Sequence, residues 1–77
     1  MLAFVLIQTK PQMEHAVYNK LVKIKDIIEV HPLFGEYDLI TKIEAKDFDT
    51  LGKIVVNKIR NIEGVKDTKT LTGMSRL

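Results

Sequence analysis

The side chains able to do chemistry are few in this sequence, and their types narrow the choice at once. Among 77 residues there is no cysteine, and there are two histidines, His15 and His31. Disulfides, thiolate zinc sites, iron–sulfur clusters and thiol catalysis are therefore excluded. No Ser, His and Asp constellation, glycine-rich phosphate loop or pair of metal ligands at helical spacing occurs, so neither a metal nor a cofactor is expected. One short segment stands apart: Gly35-Glu36-Tyr37-Asp38. A glycine here lets the backbone turn and leaves amides open to an anion, while Asp38 offers a carboxylate to an ammonium group. An α-amino acid carries both charges. The same residues also suit a plain hairpin turn in which Asp38 caps a nearby amide, and the tetrapeptide alone leaves both readings open.

The remaining candidates have ordinary structural uses beside any chemical one. Thr68, Thr70 and Thr72 alternate along one face of a strand, where β-branched residues commonly form a solvent-facing stripe. His31, next to Pro32, reads as a satisfied surface or interface side chain, and His15 as a plain helix residue. Asp47 and Asp49 look like paired carboxylates, but their place before a helical repeat points to capping and dipole compensation.

Charge and length bound the rest. Twelve Lys and Arg against ten Asp and Glu leave a net charge of +2, spread along the chain with no basic face, so direct nucleic-acid binding by this chain is not expected. No apolar run reaches the length of a membrane span, and Met1 to Ile7 lacks the pattern of a signal peptide, so the protein reads as cytoplasmic. A chain of 77 residues makes one domain, 1–77, whose small core supplies little net stability. Without cysteine, oligomerisation is the remaining means of reinforcing it.

Positioning these residues requires six elements. Leu2 to Ile7 is a short apolar run that reads as a strand, with Leu2, Phe4 and Leu6 on one face and Ala3, Val5 and Ile7 on the other. Thr9 is a candidate cap for a first helix of about three turns, in which Met13, Ala16, Val17, Leu21 and Ile24 form the apolar stripe. Ile27 to Phe34 reads as a second strand, at a sheet edge or bulged at Pro32. Gly35-Glu36 turns the chain into a third strand over Tyr37 to Ala45. Asp47 caps a second helix carrying Phe48, Leu51, Val55, Ile59 and Ile62, and Gly64 ends it. Val65 to Gly73 is the fourth strand, with Val65 and Leu71 facing away from the threonines.

The order βαββαβ predicts an α+β, ferredoxin-like two-layer sandwich: a four-stranded antiparallel sheet in order 4-1-3-2 with both helices on one face. Strand one is then central, yet both its faces are apolar. One set, Leu2, Phe4 and Leu6 or else Ala3, Val5 and Ile7, is expected to pack against the sheet of a second subunit, giving a dimeric α+β barrel, with Leu2, Phe4 and Leu6 taken as the interface set.

Several motifs now fit one family. Gly35-Glu36-Tyr37-Asp38-Leu39-Ile40, Asp47-Phe48-Asp49-Thr50-Leu51, Ile59-Arg60-Asn61-Ile62-Glu63-Gly64-Val65 and Thr68-Lys69-Thr70 together resemble the effector-binding RAM domain of the Lrp/AsnC transcriptional regulators over nearly the whole chain. The resemblance implies subunits paired sheet to sheet, dimers assembling further to tetramers or octamers, and amino-acid effectors held between dimers by the Gly35 to Asp38 loop. It also implies that the Thr68 and Thr70 hydroxyls bond the effector's polar end. The family's usual N-terminal helix-turn-helix is not expected here, with the first strand beginning at Leu2, and the chain resembles the stand-alone RAM domains found chiefly in archaea.

The expected function is a non-enzymatic regulatory module that binds a small effector at a subunit interface and alters assembly, with full-length Lrp/AsnC-family regulators as conceivable partners. A ligand-free oligomerisation domain is the alternative. A small ferredoxin-like enzyme of isomerase or monooxygenase type is the third reading, and it would need His31 or Tyr37 facing a pocket between sheet and helices.

Overall fold

The computed structural model describes residues 1–77. The elements run β1 (Leu2–Thr9), α1 (Glu14–Leu21), β2 (Ile27–Pro32), β3 (Leu39–Glu44), α2 (Phe48–Lys53) and β4 (Val65–Thr72), and a π-helical stretch over Ile54–Ile59 prolongs α2. The strands form one antiparallel sheet in the order β2-β3-β1-β4, which is 4-1-3-2 read from the other edge. This is the ferredoxin-like βαββαβ arrangement, with β1 inside the sheet and β2 at an edge.

Alternation along β1 builds two different faces. Ala3, Val5 and Ile7 are fully buried, and Leu39, Thr41 and Ile43 of β3 stand opposite them. They join Val17 and Leu21 of α1 and Leu51, Ile54, Val55 and Ile59 of the second helix in one core. Thr41 is buried there because its hydroxyl donates to the Val5 carbonyl at 3.3 Å. The opposite face carries no helix. Leu2, Phe4, Leu6 and Ile40 are half-buried on it, beside the more exposed Leu71, which faces Phe4.

Local chemistry sets the element ends, and here several expectations are corrected. Asp47 caps α2 as expected, its carboxylate accepting from the Thr50 amide at 2.8 Å. Thr9 caps nothing: it ends β1, and α1 begins only at Glu14, about two turns long. Between them the chain turns at Lys10 to Met13, with Gln12 at φ +68°. Ala16 is exposed rather than in the core. The irregularity in β2 lies between Ile27 and Glu29, not at Pro32, which is the last residue of the strand. The third strand starts at Leu39, so Tyr37 and Asp38 belong to the loop before it.

β4 departs most from expectation. Between the pairs Gln8–Asp67 and Thr9–Val65 the register shifts, with Lys66 the extra residue in β4, so Val65 stands opposite the buried Thr9 while Thr68, Thr70 and Thr72 oppose Ile7, Val5 and Ala3. Val65 and the threonines therefore share the helix side of the sheet, because the bulge adds the residue that strict alternation lacks. Gly64, just before β4, has φ +103°, and a Cβ there would meet Met13 Cε at 2.8 Å and Val17 Cγ2 at 2.9 Å. Only glycine lets the chain leave the second helix so close to α1.

Candidate effector site

The loop between β2 and β3 is pinned to the centre of the sheet. The Leu33 amide donates to the Asp38 carbonyl at 2.8 Å, and the Asp38 amide donates to the Ile7 carbonyl at 2.9 Å. Gln8 Nε2 donates to the Glu36 carbonyl at 3.0 Å. Gly35 has φ +152°, and a β-carbon there would meet nothing within 4 Å, so the backbone conformation, and not crowding, selects glycine.

Asp38 is the most constrained polar group of the loop. Its Oδ2 accepts from the Thr9 amide at 2.8 Å and from the Thr9 hydroxyl at 3.2 Å. That is the amide-capping role, and it explains why Thr9 does not cap α1. These bonds use one oxygen of the half-buried carboxylate; Oδ1 takes no hydrogen bond from the chain. A carboxylate with one oxygen anchored and one free holds a fixed direction toward a cationic ligand group.

Beside this loop a cavity of about 780 Å³ opens between the start of α1 and the end of the sheet. Leu33, Phe34, Gly35 and Asp38 of the loop line it, with Pro32 and Leu39 at the flanking strand ends and Glu14, His15 and Tyr18 from α1. Phe34 is completely exposed, an aromatic side chain at the rim with nothing over it. Of the other expected site residues, Glu36 is exposed and Tyr37 half-buried, and neither lines the cavity. Thr70 borders a separate, shallower cavity of about 360 Å³ with Phe48, Leu51 and Val55 of the second helix. Thr68 faces Ile7, which faces Leu39, so it stands two strand spacings from the loop, roughly 10 Å. One chain does not bring the loop and the threonines into a single pocket.

His31, a candidate base in the enzymatic reading, lies outside the cavity. It pairs with Ile40 on the helix-free face and its Nε2 bonds Glu29 Oε1 at 2.8 Å, while Lys42 Nζ reaches Glu29 Oε2 at 3.4 Å. The His31 bond, followed by Lys42, holds the Glu29 carboxyl below its ordinary value. No cluster of three or more His, Asp or Glu side chains is placed to hold a metal ion. The side chains that reading the sequence missed are Glu14, His15 and Tyr18. Their signal was topological: β1 and β2 run the same way, so the start of α1 and the loop after β2 meet at one end of the sheet.

Fold and loop together define a class, the small ferredoxin-like modules with a ligand-sized cavity at the end of the sheet. Residues 2–77 match the model of the Lrp/AsnC ligand binding domain, and the chain belongs to that family. An uncharacterised helix-turn-helix-type transcriptional regulator of Pyrococcus abyssi is 38% identical over 72 residues, covering 90% of this chain and 48% of that one. The chain thus spans about half the length of the curated regulators it matches. The crystal structure of a protein named FFRP-DM1 superposes with a TM-score of 0.90 at 32% identity, covering 95% of this chain and 97% of that one. A segment of a homocitrate synthase from Sulfolobus acidocaldarius is 40% identical over 55 residues, 71% of this chain and 12% of the synthase. No helix is long and apolar enough to cross a membrane.

Proposed function

We propose that this chain is a regulatory module, not an enzyme, that binds an amino acid at the Gly35 to Asp38 loop and passes occupancy on through its assembly. One observation carries the reading: Asp38 is anchored through Oδ2 by Thr9, its Oδ1 takes no hydrogen bond from the chain, and both Asp38 and Gly35 line a ligand-sized cavity. An α-ammonium group meets the free carboxylate oxygen, and an α-carboxylate meets backbone amides around Gly35. The homo-oligomer forms through the helix-free face, where Leu2, Phe4 and Leu6 are covered by the same residues of a second subunit. Further association of dimers brings Thr68 and Thr70 of a neighbouring chain over the loop. An effector that binds the assembled form better shifts the population toward it. Association with full-length regulators of the family uses the same surfaces.

Titration calorimetry with the twenty amino acids tests the site. At least one binds the wild-type chain, and Asp38→Asn weakens it by roughly 10- to 100-fold, the loss of a charge-assisted bond. Absence of binding by all twenty, or an Asp38→Asn variant that binds like wild type, overturns the reading.

A further inference from the structure

We infer that the effector of this chain is an amino acid with a positively charged side chain, whose distal cation is held by Glu14. The inference rests on the reading of the Gly35 to Asp38 loop above and deepens it to a ligand class. Its basis is the charge of the cavity wall. Two carboxylates, Glu14 and Asp38, line the cavity and no Lys or Arg does, in a chain that carries twelve of those cations. The ion pairs of the protein lie elsewhere, at Glu29, Glu44, Asp26 and Asp49, so neither cavity carboxylate is neutralised by the chain itself.

The rest of the wall fits an alkyl stem ending in a cation. With the α-ammonium at Asp38, the side chain runs along Leu39 and Leu33 toward α1, where Tyr18 offers an aromatic face close to Glu14. Phe34 at the rim can fold over the stem and place a second aromatic face against the charge. An acidic side chain would meet two like charges, with the exposed His15 the only basic side chain of the wall. A purely aliphatic one would leave Glu14 without a partner. Glu14 also lies in the first turn of α1, where a carboxylate offsets the free amides of the helix start. The test must therefore separate recognition from helix support.

Calorimetry on the full chain with L-lysine, L-arginine and L-ornithine, against their neutral counterparts L-norleucine and L-citrulline and against L-leucine and L-glutamate, makes that separation. Wild type binds at least one basic amino acid about tenfold or more tighter than every neutral one and does not bind glutamate. Glu14→Gln, shown folded by circular dichroism, removes that preference, whereas Asp38→Asn weakens every ligand. A role in helix support alone lowers the melting temperature of Glu14→Gln and leaves the lysine-to-norleucine ratio unchanged, which overturns the inference. Neutral amino acids that bind as tightly as basic ones and depend on Asp38 also overturn it, while the effector reading stands. If no amino acid binds wild type, both fall.

Discussion

Asp38 has two carboxylate oxygens, and the chain uses only one of them. The pair of bonds to Thr9 ties the loop before β3 to the end of β1, and the free oxygen is what a ligand would meet. Its likeness to a turn-capping aspartate and to a ligand-binding one is thus no contradiction, since one carboxylate has two oxygens. Asp47 is a purely structural counterpart. The Thr50 hydroxyl and amide hold its carboxyl below the ordinary aspartate value. A group lowered by folding contributes stability that is fully present above its unfolded value and is lost as the pH falls through its folded one. Asp47→Ala therefore lowers the melting temperature at about pH 7, and the gap to wild type closes toward about pH 2. Melts at both pH values check this, and a gap that persists in acid contradicts it. Glu29 follows the same sign, through His31 first and Lys42 second.

At the level of elements, packing at Gly64 is the most sensitive joint. Alanine there has to adopt φ +103° and push against Met13 and Val17, which costs on the order of 1 to 3 kcal/mol or more. Urea denaturation of Gly64→Ala measures it; a midpoint unchanged from wild type removes this account of the helix exit. Gly64 and the Asp47 cap were readable from sequence because their chemistry is local. The apolar run Leu2 to Ile7 likewise marked a strand, and it lies inside the sheet with Ala3, Val5 and Ile7 in the core. What could not be read depends on distant partners. Thr9 has the composition of a helix cap, but a carboxylate 29 residues away takes its amide and hydroxyl. The bulge opposite Gln8 and Thr9, visible only in the paired strands, turns Val65 to the side of the threonines. The π-helical stretch, marked by the Arg60 amide donating to the Val55 carbonyl at 2.9 Å, leaves no trace in the apolar spacing.

In the whole molecule, two surfaces remain that one chain does not complete. The helix-free sheet face presents Leu2, Phe4, Leu6, Ile40 and Leu71, with Lys42 beside Phe4, and Glu29, His31 and Lys69 on the two edge strands. A charge at its centre disrupts sheet-to-sheet pairing, so Phe4→Glu lowers the molar mass in light scattering while circular dichroism stays that of the folded chain; an unchanged mass excludes this face as the interface. The other is the candidate site. The loop and the Thr68 and Thr70 stripe lie apart within a chain, and that gap was invisible in the linear motifs because motif order carries no distance across a sheet. In the proposed function, both surfaces make assembly the output of ligand binding. Sedimentation velocity of the full chain, titrated with each amino acid and repeated with Asp38→Asn, joins the two halves of that account in one observation. At least one amino acid shifts the wild-type distribution and leaves that of Asp38→Asn unmoved; a distribution that no amino acid changes, or that changes equally in the variant, contradicts it.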